Sequence, residues 1–414
     1  MKNKIFQSLL AIILLVIPAQ LLSQPEVKTG IEVLREDGFE LLKDKKIGLI
    51  TNPTGVDSQL RSTIDILHEA PGVELVALFG PEHGVRGDYP AGEYVESYTD
   101  EKTGIPVYSL YGKTRRPTKK MLKGIDVLVY DIQDIGVRSY TFISTMGYTM
   151  EAAAELGMEY VVLDRPNPLS GFRVEGSPVK EGFFSMVSAY PIPYVYGLTC
   201  GELAKLFVEE KLLKTKKTCN LSVVPMRGWQ RGMNYDDTGL PWVLTSPHIP
   251  NPETAAAYVA TGVMGELFVF SEGVGYTLPF QIYAAEWIDP HKLAQAMNDL
   301  EIEGVLFRPM QFKPYYGRFK GKELNGVQLH LTDADKVNLM SLQFRFMEVH
   351  HKLYPDIDVL ELSKERHNMF DKVTGSSKIR ETFFKDYQFE DIEEMLNEGV
   401  DEFIELSKKY YLYK

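Results

Sequence analysis

Val73–Glu–Leu–Val–Ala–Leu–Phe79–Gly80–Pro81–Glu82–His83–Gly84–Val85–Arg86–Gly87 joins an apolar run to a loop of glycines and charged residues. A run that ends in Gly-Pro and then presents Glu, His and Arg among glycines reads as a buried strand whose exit loop holds polar groups at a sheet edge. In open α/β sheets, ligands bind in the crevice beyond the strand ends. The glycines allow the backbone to approach a ligand closely, and Pro81 stiffens the exit. Glu82 is therefore the leading candidate for an acid, with a plain surface pair between Glu82 and Arg86 as the competing reading.

Outward from this stretch, short β-rich runs alternate with helical patterns. Lys46–Thr51, Val73–Phe79, Val127–Ile132 and Tyr160–Leu163 read as strands; Ser58–Glu69, Thr118–Lys123 and Thr145–Leu156 read as helices. Strands that are apolar throughout, alternating with helices, predict an α/β fold: a Rossmann-like parallel sheet covered on both faces. Each strand exit carries similar chemistry. Glu82 follows one; Asp131, Asp134 and Arg138 follow the next; Asp164, Arg165 and Asn167 follow the last. If the strands are parallel, these loops emerge on one edge and converge on a polar crevice. The competing reading is scattered surface turns, with Arg165–Pro–Asn167–Pro168 as a rigid turn.

The chain has 414 residues, 44% hydrophobic and 25% charged, enough for two domains. Its net charge of -12 argues against nucleic acid or an anionic membrane surface as partner. The basic stretch Lys113–Lys120 reads as a solvated loop. Lys2 and Lys4 precede an apolar stretch to Ile17 that leads to Pro18, Ala19 and Ser23, the pattern of a secretory signal over residues 1–23. The mature chain is thus expected to be exported, periplasmic or secreted, with no stable membrane insertion after cleavage. Cys200 and Cys219 read as free, buried thiols. Thr51–Asn–Pro–Thr–Gly55 lacks dinucleotide-loop spacing, and no Walker loop, H-E-x-x-H pair or G-x-S-x-G elbow occurs. No cofactor or metal is expected. Residues 24–250 read as the Rossmann-like catalytic domain. Residues 251–414 read as a smaller α+β domain that closes the cleft, with helices at Lys336–Lys352 and Ile392–Lys409 and a strand at Gly326–Leu331.

Together these residues carry a resemblance. Asn52–Pro–Thr–Gly55, Phe79–Gly84, Tyr130–Arg138, Asp164–Pro168, Gly228–Trp229, Thr238–Trp242, Gly326–His330 and Phe370–Gly375, in this order, resemble the NamZ family of exo-β-N-acetylmuramidases. That resemblance implies a secreted or periplasmic glycosidase that removes terminal N-acetylmuramic acid from non-reducing ends of peptidoglycan fragments. It also implies a site in the cleft between two domains, and a catalytic glutamate at Glu82. Glycoside hydrolysis needs one carboxylic acid to protonate the leaving oxygen and a second group to attack or to activate water. Glu82 fits the acid, while His83 either holds Glu82 or shares the proton work. Asp131, Asp134 and Asp164 compete for the second role. Arg86, Arg138 and Arg165, with Asn167 and His248, are the candidate substrate contacts, because a guanidinium grips a carboxylate such as the lactyl group bidentately. A structural pairing of each arginine with one of the aspartates is the alternative.

The chain departs from the family's pattern in places. An Ile-Arg-His-Gly-Met-Thr segment is here Tyr194–Val–Tyr196–Gly–Leu–Thr199. A segment rich in arginine is here Glu266–Leu–Phe–Val–Phe–Ser–Glu272–Gly–Val274–Gly–Tyr276–Thr–Leu278–Pro–Phe–Gln281, and an asparagine is His248. A wall turned aromatic and aliphatic suits stacking on a different glycan, or a lost carboxylate contact, better than unchanged muramidase specificity. Two alternatives follow: a secreted glycan-binding paralogue without activity, or a glycosidase for a different terminal sugar.

Overall fold

Val127 to Asp131 is buried at every position, and its alternate side chains enter two different cores. That is the signature of a strand covered on both faces. The computed structural model describes residues 27–82, 84–87, 97–112 and 114–414; the expected leader, residues 1–23, and His83 lie outside these. The first part of the chain runs α1 (Gly30–Glu36), β1 (Lys45–Thr51), α2 (Thr63–His68), β2 (Val73–Gly80), β3 (Tyr98–Thr99), β4 (Pro106–Ser109) and β5 (Val127–Asp131). It continues through α3 (Phe142–Leu156), β6 (Glu159–Leu163), β7 (Val174–Glu175), β8 (Val195–Tyr196), α4 (Cys200–Glu209) and β9 (Asn220–Val224). Seven strands form one sheet in the order β3-β4-β2-β1-β5-β6-β9, parallel except for the β3 edge. Helices α1 and α2 bring Ile31, Leu34, Ile64 and Leu67 onto one face. On the other face lie Met146 and Met150 of α3 and Leu203 and Phe207 of α4. Parallel strands put the exits of β1, β2, β5 and β6 on one edge, as the sequence reading requires.

The second part comprises α5 (Glu253–Gly265), β10 (Ile282–Ala285), α6 (Pro290–Asn298), β11 (Val305–Phe312), β12 (Leu324–Leu331) and α7 (Leu339–Leu353). Five shorter helices follow: α8 (Val359–Leu362), α9 (His367–Thr374), α10 (Ser377–Asp386), α11 (Glu390–Asn397) and α12 (Val400–Ser407). Its three strands form an antiparallel sheet in the order β10-β12-β11. Among the described residues, no helix is long and apolar enough to cross a membrane.

Several boundaries differ from the sequence reading for local reasons. The helix expected over Ser58–Glu69 begins only at Thr63. The Asp57 carboxylate accepts from the Gln59 and Arg61 amides and folds that segment into a turn, and Ser62 caps the helix by accepting from Ile64 N. Thr118–Lys123 makes turns rather than a helix. The pattern over Ile392–Lys409 is split because Gly399 takes φ +77, which ends one helix and starts another. Strand β4 has only four residues, and the far-edge strand β9 mixes Asn220 and Ser222 with its apolar residues, so neither stands out in the sequence.

The two parts are tied through Arg138, which is 1% exposed. Its guanidinium donates to the carbonyls of Ser177 (2.9 Å), Ile192 (2.6 Å) and, from α9, Val373 (2.8 Å). Burial pulls its pKa down to about 9, which leaves it charged at neutral pH. Arg138 was a candidate substrate contact in the sequence; the structure instead seals it inside as a strut. Arg138→Met leaves three carbonyls without a donor and is expected to cost about 3 kcal/mol or more in urea unfolding. A loss below about 1 kcal/mol would remove the strut from this account.

Candidate active site

Glu82 sits just past the end of β2 and is partly exposed, while Gly80 and Pro81 behind it are buried. The neighbouring strand fixes what faces it. Gly80 pairs with Ser109, and Leu110 N donates to Gly80 O at 2.8 Å, so the segment after β4 runs beside the Glu82 loop. Its Tyr111 hydroxyl hydrogen-bonds to Glu82; burial, then the Glu82 carboxylate, pushes the Tyr111 phenol up to about 12. The phenol therefore stays protonated as a donor. A second phenol, Tyr140, lies within the electrostatic reach of Glu82; burial raises its pKa well above the usual range. The Tyr140 hydroxyl donates to Thr245 Oγ1 at 2.8 Å, which ties the loop before Ile249 to Tyr140. Glu82 thus bonds one tyrosine, Tyr111, and lies within the electrostatic reach of a second, Tyr140.

The three aspartates also come together, but beneath the crevice. Asp131 is fully buried and takes a two-point ion pair from Arg165, with Nη2 at 2.9 Å, and Thr63 donates to the same carboxylate. Asp164 is fully buried and accepts from Tyr413 (2.6 Å), Thr199 (2.7 Å) and Gly201 N (2.8 Å); burial nonetheless pushes it up to about 6. Asp134 accepts from Tyr196 and Gly136 N on Oδ1 and leaves Oδ2 buried without a partner. Burial pushes it up to about 7, despite those hydrogen bonds. A proton on Oδ2 suits this arrangement. Asp131 and Asp164 are thus hydrogen-bonded on both carboxylate oxygens and Asp134 on one, all three within the buried scaffold.

The remaining candidates are placed as follows. Arg86 is half-buried and pairs with Asp100, with Nη2 at 3.0 Å, and with Asp65 at 3.2 Å; that pairing holds Asp100 down at about 2. Arg165 spends its guanidinium on Asp131 and the Val56 carbonyl (2.8 Å). Asn167 is buried, donates to Leu198 O (3.0 Å) and accepts from Leu169 N (2.9 Å). Each of Arg86, Arg138, Arg165 and Asn167 therefore has an internal partner, Arg86 and Arg165 through Nε and Nη2 of their guanidinium groups. His248 remains partly exposed on the loop held by Tyr140 and stacks on Tyr316. The departures at Tyr194 and Tyr196 are buried too, with hydroxyls bonded to Ser139 and Asp134. Sequence reasoning passed over Tyr111 and Tyr140, and read Arg115 only as part of the solvated stretch Lys113–Lys120. Arg115 is exposed, close enough to affect the Tyr111 phenol, and forms no ion pair among the described residues.

A cavity of about 520 Å³ opens elsewhere between the two parts, walled by Asp236, Glu253, Asp333 and Asp335 with Gln281 and His330. None of Glu82, Tyr111, Tyr140 or Thr245 lines it, and its carboxylates repel an anionic sugar.

The buried Asp134 has a consequence for stability. An unfolded aspartate ionises near pH ~3.9, so between about pH 4 and 7 the folded chain keeps a proton that the unfolded chain has lost. Its contribution to stability is complete below that window and falls as pH rises through it, by up to about 1.4 kcal/mol per pH unit. Asp134→Asn should therefore gain on the parent chain as pH is raised from about 4.5 to 7.5 in urea unfolding. A difference that stays constant with pH would show that Asp134 is ionised in the fold.

Comparisons with known proteins identify the family. The N-terminal profile of the family described as exo-beta-N-acetylmuramidase NamZ matches residues 47–253, and its C-terminal profile matches residues 256–413. The chain is 45% identical over 395 residues to the peptidoglycan beta-N-acetylmuramidase NamZ of Bacillus subtilis (strain 168), covering 95% of this chain and 93% of that one. It is similar to two crystal structures of DUF1343 family proteins from Bacteroides fragilis NCTC 9343. The first has a TM-score of 0.90 at 56% identity, and covers 94% of this chain and 99% of the other. The second has a TM-score of 0.76 at 28% identity, with the same coverage of 94% and 99%. With both profiles spanning nearly all of the described chain, it belongs to the NamZ exo-β-N-acetylmuramidase family.

Proposed function

We propose that this protein is an exo-acting glycosidase that removes terminal N-acetylmuramic acid from the non-reducing ends of peptidoglycan fragments, with Glu82 as general acid. The observation that carries the acid assignment is the contrast in placement: Glu82 is a partly exposed carboxylate at the strand-exit edge, beside Tyr111, while Asp131, Asp134 and Asp164 are buried. In the reaction, protonated Glu82 gives its proton to the glycosidic oxygen as the bond to the anomeric carbon breaks. With the aspartates committed elsewhere, the second function falls to the substrate. Its 2-acetamido carbonyl oxygen attacks the anomeric carbon, forming a cyclic oxazolinium as the alcohol leaves. Water then opens that ring, giving its proton to the Glu82 carboxylate and restoring the acid.

Selectivity for a muramyl over a glucosaminyl group requires a cation for the lactyl carboxylate. Arg86, Arg138 and Arg165 are occupied, and Arg115 supplies it from the rim beside Tyr111. Export suits this substrate, and the leader pattern of Lys2, Lys4 and the apolar run to Ile17 supports a periplasmic or secreted setting.

Glu82→Gln should lower kcat on a muramic acid–N-acetylglucosamine disaccharide by about 10²-fold or more, with KM changed little. Full activity in that variant would end the acid assignment. Substrate assistance predicts that muramic acid is first released in the β configuration by proton NMR; initial release of the α anomer would exclude it. Arg115→Gln should cut kcat/KM on the muramyl glycoside about tenfold or more and leave the matching N-acetylglucosaminide unchanged. Equal effects on both would move the lactyl contact elsewhere.

A further inference from the structure

The loop between β11 and β12 exposes two adjacent aromatic rings, Tyr315 at 67% and Tyr316 at 48%. The backbone beneath them is pinned. Tyr315 N donates to Gly275 O at 2.7 Å, and Gly321 N donates to Pro314 O at 2.9 Å. Gly275 has φ +96, and a side chain there would strike the Tyr316 carbonyl oxygen. The rings are also aligned by neighbours. Tyr315 stacks on Tyr276 with centroids 5.7 Å apart and planes at 19°, and Tyr316 stacks on His248 at 5.9 Å and 17°. Large apolar rings held flat and open to solvent add little to the fold, yet they form a preorganised surface for a ligand face.

Their position relative to Glu82 follows from the loop that carries His248. Thr245, three residues earlier, accepts from Tyr140, a phenol within the electrostatic reach of Glu82. Exposure grows along this line, from the half-buried Tyr140 to Tyr316 and then Tyr315. An exo-acting enzyme holds the terminal sugar innermost, and the next sugar points outward. A pyranose presents a flat face of C–H groups that packs on an aromatic ring, as apolar sugar and ligand faces do in aromatic-lined sites. Resting on the muramidase reading, we propose that Tyr316, backed by His248 and flanked by Tyr315, is the platform for the sugar on the leaving side of the scissile bond.

The test compares Tyr316→Ala, Tyr316→Trp and the parent chain on two substrates. One is the muramic acid–N-acetylglucosamine disaccharide; the other is the muramyl β-fluoride, whose leaving group has no ring. Tyr316→Ala should raise KM for the disaccharide about tenfold with kcat within about twofold, leave the fluoride unaffected, and be rescued by Tyr316→Trp. An unchanged KM for the disaccharide, or the same rise for both substrates, overturns the platform. If the parent chain hydrolyses neither substrate, the enzyme reading fails and the platform is judged by calorimetric titration of the disaccharide. Binding to the parent that Tyr316→Ala weakens about tenfold supports it; equal binding, or none to either form, overturns it.

Discussion

The pair between Asp131 and Arg165 is the constraint on which the crevice rests. It joins the exits of β5 and β6, lies wholly out of water, and is completed by Thr63 at the start of α2. A lone carboxylate or guanidinium at that depth would be costly, so neither side chain can leave the other to serve a substrate. The same logic extends outward. Asp164 is satisfied by α4 and the tail, Asp134 is held by Tyr196 on one oxygen, and Arg86 pairs with Asp65 and Asp100. A ring of charges that reads as reactive in the sequence is mostly spent on holding strand exits in register. Glu82, by contrast, is partly exposed and bonded by the Tyr111 phenol.

Much of the fold was legible because its signals are local. Apolar runs such as Val127–Ile132 have no polar face to mistake, and the recurrence of strand and helix led directly to a doubly covered parallel sheet. The convergence of Glu82, Asp131, Asp134 and Asp164 on one edge follows from parallel strands alone. What could not be read was depth. Whether Asp164 faces solvent depends on Tyr413, which is 249 residues away, and whether Arg138 is free depends on carbonyls from three separate segments. Tyr111 escaped notice because the four residues of β4 leave little pattern, so nothing in the sequence sets its loop beside Glu82.

Aromatic residues take over where charges are withdrawn. Tyr140 packs edge-on against Tyr258, which packs edge-on against Phe280, so a row of rings leads from the sheet edge into the second part of the chain. Rings of this kind combine an apolar body with a hydroxyl handle and lose little freedom when fixed. They suit a sugar, which itself alternates hydroxyl edges with apolar faces.

The chain's end is built into its beginning. Tyr410 and Phe403 enter the core on the α3–α4 face of the sheet, Leu412 N reaches Glu202 Oε1 at 2.8 Å, and Arg231 N is bound by the Lys414 carbonyl at 2.8 Å. Two domains in sequence are therefore one unit in assembly. During synthesis, the parallel sheet is complete in strands long before Tyr413 exists to satisfy Asp164, so the floor of the crevice closes only when the last residues arrive.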